Sequence, residues 1–489
     1  MNESDPTPFL DPEPSAPALP ELPDLHIPPD DPQPEEPSVR PAPPPELPPK
    51  KRSCWFKGLT LLLVFSLLMS VMASALWVFA HTRSRTAVSP SSPAVTSRVA
   101  YINQNGQVVT IDPDGNNGRL LTNTDARYQF PAWSPDGRRV AAIADDTVFL
   151  LPDEDETDPT VLYTDARQNP FYLYWSPDGR YLSFLTNDSQ HGIGLRLVAA
   201  DTQEEARLLA TGSPFYWNWT GDSQQMLIHT GLAGSEARLA LLNTDSFDNA
   251  QEIAAPGLFQ APGISADGRY WAYAEDTGDG TSWLVVTDQE TGQNWRERHS
   301  GMVALGWSPT DPHLAFTNGA QERSTNFWGP LRLFDAATGE TRLLSGNTTL
   351  AFFWSPDGRY LATINTGDNT QDIGVNVTQT DDGRRPTLSK PRPQASPHQF
   401  NLAIIDLTTG EERQLFAFSP SVLFISQFLP FFDQYALSHQ IWSPNSDALV
   451  LPVLEESGSH VIVVPIDGGP TTDLGRGEMP FWSPGLTTP

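Results

Sequence analysis

Cysteine is nearly absent: Cys54 is the only one in 489 residues. That excludes a disulfide framework and any site built from several thiolates, such as a structural zinc or iron–sulfur centre. Basic charge is scarce as well, with 30 Lys and Arg against 59 Asp and Glu and a formal net charge of −29. Phosphate binding draws on clustered cations, so nucleic acid is not expected as a partner. Chemical motifs are missing in the same way. The chain holds no G-x-S-x-G, no H-E-x-x-H, no G-x-x-x-x-G-K-[ST] and no G-x-G-x-x-G, so no nucleophile elbow, zincin helix or phosphate-cradling loop is present. The nine histidines are scattered and form no ligand pair. No metal and no cofactor is implied.

Proline, glycine and tryptophan, by contrast, are abundant, with 47, 35 and 14 copies. They divide the chain into zones. Residues 1–52 hold 18 of the prolines and 11 acidic against 4 basic residues, counted along the row. Such a segment has no apolar period and too little apolar surface to offset the entropy of ordering; it reads as a disordered, Pro-rich acidic tail. Residues Leu59–Ala80, within a zone spanning 53–80, carry no charge over 22 positions. At about 1.5 Å per residue they reach roughly 33 Å, the thickness of a bilayer core. More than fifty residues precede this run, which favours an uncleaved anchor over a signal peptide cut at Ala73-Ser74-Ala75. Lys50, Lys51, Arg52 and Lys57 before the span outnumber Arg83 and Arg85 after it, so the N-terminus is expected in the cytoplasm and the remainder outside it. Residues 81–97, rich in Ser, Thr and Pro, read as a stalk.

From Arg98 onward the chain repeats. WSPDGR stands at Trp133–Arg138, Trp175–Arg180 and Trp354–Arg359. Degenerate copies begin at Trp219, Ile264, Trp307, Trp442 and Trp482, giving spacings of 42, 44, 45, 43, 47, 88 and 40. In each copy proline presets the second turn position, Asp suits the third, and Gly takes the left-handed conformation that closes the hairpin. An apolar strand should follow, as at Val140–Ala144, Leu182–Thr186 and Leu449–Val453, and then a second that tends to end in Asp, as at Leu284–Asp288. The first repeat lacks its own turn and the last lacks its following strand. The expectation is therefore an all-β chain closed into a ring, with the C-terminal strand completing the first blade.

These repeats resemble those of the TolB-like β-propeller family, over residues 98–489. The resemblance implies a closed propeller, most simply of eight four-stranded blades, with seven as the alternative. It also implies an interaction platform at the cell envelope of a bacterium. Related propellers precede the hydrolase domain of prolyl oligopeptidase-type peptidases, but the missing G-x-S-x-G rejects that reading.

Two irregular segments interrupt the pattern. Residues 366–399 form an insertion with the basic stretch DDGRRPTLSKPRP, which makes Arg384 and Arg385 candidate binding residues. Phe416–His439 carries six Phe and one Tyr, with Asp433, Gln434, Tyr435 and His439 as its polar candidates. Exposed, it would be a contact surface; buried, it packs beneath the insertion, and burial is the preferred reading. The acidic run Asp153–Glu156 with Asp158 lacks the pattern of a Ca²⁺ loop and reads as a solvated loop. The blade tryptophans are expected to pack between sheets. The function expected is non-catalytic binding of a protein, peptide or polysaccharide ligand at the envelope. The alternatives are a lyase or hydrolase with its site in the central funnel, or the ligand-binding half of a transmembrane sensor.

Overall fold

The computed structural model describes residues 97–485 apart from 155–157, 189–191, 203, 232–236, 246–249, 279–280, 322–323 and 367–398. The expected tail, span and stalk, and Arg384 and Arg385, lie outside the described residues. Among the described residues no helix is long and apolar enough to cross a membrane.

The fold is nearly all β and antiparallel. The first strands are β1 (Val99–Asn103), β2 (Val108–Ile111) and β3 (Arg119–Leu120). Four separate four-stranded sheets follow, each a meander. The first is β4–β7 (Tyr128–Trp133, Arg139–Ala144, Thr147–Pro152, Thr160–Thr164). The second is β8–β11 (Pro170–Trp175, Tyr181–Asp188, Gly192–Ala199, Arg207–Gly212). The third is β12–β15 (Phe215–Trp219, Gln225–Thr230, Arg238–Asn243, Gln251–Ala254), and the fourth β16–β19 (Gly263–Ile264, Tyr270–Asp276, Ser282–Asp288, Asn294–His299).

A seven-stranded sheet comes next: β20–β26 (Val303–Trp307, His313–Asn318, Gly329–Asp335, Glu340–Trp354, Tyr360–Thr366, Phe400–Asp406, Glu411–Phe418). It is two four-stranded ladders sharing one long strand. β23 pairs with β22 from Asp335↔Glu340 to Gly329↔Thr349, and its last part pairs with β24 from Thr349↔Asn365 to Trp354↔Leu361. After a helical segment come β27 (Ala448–Glu455), β28 (Gly458–Pro465) and β29 (Thr472–Trp482). Here too one long strand serves two ladders. The start of β29 pairs with β28, while its end pairs with β1, from Asn103↔Gly477 to Val99↔Trp482. The last strand of the chain thus lies in the sheet of the first, as the complementary ends of the repeat predicted.

The strands fall where the turn motif places them because the turn fixes its own geometry. In Trp133–Arg138 the Ser134 hydroxyl donates to Asp136 Oδ1 at 2.5 Å and accepts from the Arg139 N–H at 3.1 Å. The Ser134 N–H returns to the Arg139 carbonyl at 2.8 Å, and Gly137 takes φ +66°. In the degenerate copies Ser223 and Ser446 hold the same left-handed position, at φ +63° and +59°. An L-residue adopts that conformation at a cost, so the turn geometry outweighs the residue type.

Four of the repeat tryptophans reach a neighbouring sheet or ladder. The Trp175 indole N–H donates to Ala132 O at 3.0 Å, Trp133 to Phe481 O at 3.2 Å, Trp354 to Gly306 O at 2.9 Å and Trp442 to Phe353 O at 3.0 Å. In every case the acceptor is the residue just before the Trp, or its counterpart, of the preceding repeat. A buried indole thereby spends its one donor on a carbonyl next door.

One reading is corrected. Asp153 is no part of a solvated loop. It is half-buried, with its side chain only 8% exposed, accepts from Thr110 Oγ1 at 2.5 Å, and pairs with Arg98 at 3.0 Å and Arg119 at 2.9 Å. Those partners lie in or beside the β1–β3 ladder, so this carboxylate pins the following sheet to it. Sequence spacing gave no hint of it, because the cations precede Asp153 by 34 residues or more.

Candidate functional site

Phe416–His439 supplies the only helical structure among the described residues. It begins as a π-helical turn at Phe424–Phe428, tightens to a 3-10 turn at Leu429–Phe431, and becomes helix α1 at Phe432–Ser438. Pro430 near the start of the 3-10 turn removes a donor that would have no partner there. Helix α1 ends where His439 turns to extended backbone, with its N–H on Tyr435 O at 2.7 Å.

Strands of several sheets lie against this short rod. Phe432 meets Phe352 and Phe353 of β23 edge-on, with centroids 5.2 and 5.7 Å away, and Phe327 at 5.2 Å. Tyr435 lies against Phe130 of β4 at 6.3 Å and Tyr172 of β8 at 5.3 Å. His439 meets Phe481 of β29 at 4.6 Å, and α1 also touches β12 and β20. Strands of several sheets thus wall this rod. The large aromatics Phe424, Phe428, Phe432 and Tyr435 of this segment are buried against strands of several sheets, while Val422 in the same segment is exposed; the insertion it was expected to pack beneath lies largely outside the described residues.

Its polar groups are used internally. The Gln434 side chain behaves like one more strand residue. Its Oε1 accepts from the Trp217 N–H at 2.9 Å and its Nε2 donates to the Trp217 carbonyl at 2.9 Å. Tyr172 donates to the Gln434 carbonyl at 2.9 Å. Asp433 Oδ2 accepts from the Ala261 N–H at 3.2 Å, and its Oδ1 accepts from the Gln434 N–H at 2.9 Å. Among the described residues no cation pairs with it; burial pushes its carboxyl up to about 7, against the smaller effect of those two donors. His439 Nδ1 shares a 2.6 Å bond with Ser438 Oγ, and burial pulls its pKa down to about 3. His229 lies beyond, stacked on Phe259 at 4.1 Å and bonded to Gln260 O at 2.9 Å; burial lowers it to about 4. Burial, and next the Asp433 charge, raise the Tyr216 hydroxyl strongly. Asp433, Gln434, Tyr435 and His439 thus stand together at the centre, all nearly inaccessible.

Open space lies at both ends of strands β4 and β8. Beside the C-terminal end of α1 is a cavity of about 320 Å³ bounded by Trp133, Tyr174, Trp175, His439 and Phe481. At the other end of the strands is a groove of about 1090 Å³, where Asp125, Arg127, Asp145, Asp146 and Asn169 stand round Phe130 and Phe171. Sequence reasoning missed this groove. Its residues sit in loops between repeats, where Asp and Asn carry turn roles and no period marks them. Among the described residues no group of three or more His, Cys, Asp or Glu could hold a metal ion.

No protein-family model matches the chain, and no curated protein matches it. Solved structures do resemble it. Dihydro-heme d1 dehydrogenase NirN in complex with DHE has a TM-score of 0.50 at 14% identity, over 81% of this chain and 78% of that one. Oligogalacturonate lyase in complex with manganese has 0.41 at 15%, over 77% and 83%. TolB from Acinetobacter baumannii has 0.32 at 18%, over 53% and 68%. The likeness is one of β-propeller fold.

Proposed function

We propose that residues 98–489 form a closed, eight-bladed propeller, tethered to a membrane by Leu59–Ala80 outside the cytoplasm. We propose further that it is a non-catalytic platform binding a protein, peptide or polysaccharide ligand of the cell envelope. The blade count rests on the shared strands. If β23 and β29 each serve two blades, the sheets resolve into eight units, one of whose inner strands is reduced to the pairing of Trp442 with Leu449. Closure is supported by the β1–β29 ladder and by the rod touched from many sides.

The observation that carries the binding reading is the filled centre. An enzyme of the funnel type needs free acids, bases and cations where the inner strands converge. Here that space holds Phe432, Tyr435 and His439, and Gln434 and Asp433 spend their hydrogen bonds on backbone. What remains open lies on the two faces, where rigid ladders present variable loops.

The test is in-cell cross-linking of the full-length protein, capture from detergent-solubilised envelope, and identification of bound protein and glycan. The same cells are probed for protease access to the domain from outside. A defined envelope partner, with the domain accessible from outside, is the expected result. Turnover of an envelope glycan by the purified protein would overturn the non-catalytic reading, and protection of the domain from external protease would overturn the topology.

A further inference from the structure

The hairpin between β27 and β28 turns through Glu456 and Ser457, and Ser457 is exposed on it. The Ser457 hydroxyl lies 2.6 Å from His460 Nε2, and His460 Nδ1 lies 2.9 Å from Asp473 Oδ2 on β29. The other oxygen of Asp473 accepts the Gly475 N–H at 2.8 Å. The carboxylate is thus fixed by its own strand where it meets the ring. Among the described histidines no other stands between a carboxylate and a hydroxyl. His229 and His299 bond to backbone carbonyls, and His439 bonds to Ser438.

These contacts assign the protons. An ionised carboxylate only accepts, so Nδ1 of the neutral ring carries the hydrogen and Nε2 offers its lone pair. The Ser457 hydroxyl is the donor to that lone pair. Glu455 stands 3.9 Å from Nε2, too far for a hydrogen bond, and leaves that nitrogen to the hydroxyl. The His460 side chain is 13% exposed, so the base is held by the sheet while the hydroxyl faces solvent. A hydroxyl, a base within hydrogen-bond reach and a carboxylate that orients the base are the parts of an activated nucleophile.

We infer that Ser457 is an acyl-acceptor site for a small, uncharged, activated ester, with His460 as its base and Asp473 as a positioning residue. Ser457 Oγ attacks the acyl carbonyl, and its proton passes to His460 Nε2. The tetrahedral adduct then collapses: the bond from acyl carbon to leaving oxygen breaks, and that oxygen takes the proton from His460. One ester bond forms on Ser457 as one is cleaved in the donor, and no water, oxidant or reductant is consumed. Glu455 and Glu456, exposed beside Ser457, disfavour an anionic donor. The transfer is stoichiometric, one acyl group per chain. It goes beyond the binding-platform reading and does not depend on it.

The experiment treats full-length protein in detergent with p-nitrophenyl acetate. Phenolate release is followed by absorbance, and acetyl placement by peptide mass, which separates Ser457 from the reactive amines. Acetylation of Ser457 is expected, with no comparable label on any other serine. Ser457→Ala removes that share of the release. His460→Gln slows acetylation at Ser457 by roughly a hundredfold, the smaller end of what a general base contributes. Asp473→Asn donates to Nδ1 and so puts the ring proton on Nε2. It lowers the limiting rate and leaves the half-saturating ester concentration unchanged. Two results would overturn the site. One is neither acetyl on Ser457 nor phenolate release that Ser457→Ala removes. The other is acetylation of Ser457 that is as fast in unmodified protein unfolded in urea, or in folded His460→Gln, which means ordinary serine reactivity. The urea comparison needs no variant, so it decides even where a substitution prevents folding. Continuous release that Ser457→Ala abolishes would uphold the nucleophile and overturn the non-catalytic reading of the domain.

Discussion

Ser483 and Arg98 are 385 residues apart, yet they make the hydrogen bonds that Ser134 and Arg139 make across five. The Arg98 N–H donates to Ser483 Oγ at 2.9 Å and the Ser483 N–H donates to Arg98 O at 2.8 Å. The chain ends share one copy of the repeated turn, split between them. Arg98 adds a partly buried ion pair to Asp112 at 2.6 Å, so this junction is tied by charge as well as by backbone. Ser483→Ala removes one buried bond and leaves the Arg98 N–H without its acceptor. It should cost about 1–3 kcal/mol, read as a lower urea midpoint with an unchanged slope. Ser134→Ala, in a continuous turn, should cost a similar amount. A far smaller loss at Ser483 would mean that the split turn carries no load.

Gln434 holds the rod to the wall. Its amide satisfies both the N–H and the carbonyl of Trp217, on a residue that is fully buried. Gln434→Ala strands two backbone groups at once. Each unsatisfied buried group costs about 1–3 kcal/mol, so the expected loss is on the order of 2–6 kcal/mol by urea unfolding. Gln434→Glu keeps the shape but offers no donor to the carbonyl. It should be nearly as damaging at neutral pH and should partly recover in acid, when the new carboxyl is protonated.

The indole ladder gives a subtler test. Trp175→Phe keeps most of the ring and removes only the donor to Ala132 O. A loss of about 1–3 kcal/mol is expected, comprising the unpaired carbonyl and a small cavity. Thermal unfolding of the variant beside Trp354→Phe, whose bond to Gly306 O is equivalent, checks whether the two junctions contribute alike.

The strands were legible because their causes are local. Val140–Ala144 lies within β5, since the Pro135-Asp136-Gly137 turn and an apolar run fix a hairpin without reference to the rest of the chain, and Leu284–Asp288 lies within β18, an apolar run ended by the Asp288 turn. The pairing of the termini was legible because each lacked what the other held. The position of the aromatic segment was not. Its composition announced burial, but its partner Trp217 is 217 residues away, and no period links the two. The short strand at Gly263–Ile264 was equally hidden. A side chain at Gly263 would come within 2.6 Å of Leu305 and 2.9 Å of Trp307, so the glycine is set by the neighbouring sheet. Polar groups in the centre looked like site candidates because sequence shows their chemistry and not their enclosure.

That enclosure sets opposing pH dependences. Asp433 titrates at about 7 when folded and near 3.8 unfolded. Between those values the folded state holds a proton that the unfolded state has released. The stability it contributes is complete below about 3.8 and is lost as pH rises through about 7, a change on the order of 4 kcal/mol. Asp433→Asn should remove that slope, so the variant gains on the unmodified protein from about pH 4 to about 7 and levels off above that. His439 works the other way. Its folded value of about 3 lies below the unfolded 6.5, so its contribution is complete above 6.5 and is lost as pH falls toward 3. His439→Gln should therefore gain on the unmodified protein only in acid. Urea unfolding of the three proteins at pH 5, 6.5 and 8 separates the two effects. Parallel curves for Asp433→Asn and the unmodified protein would mean that the carboxyl is not enclosed, and the rod would then be open to solvent at its Asp433 end.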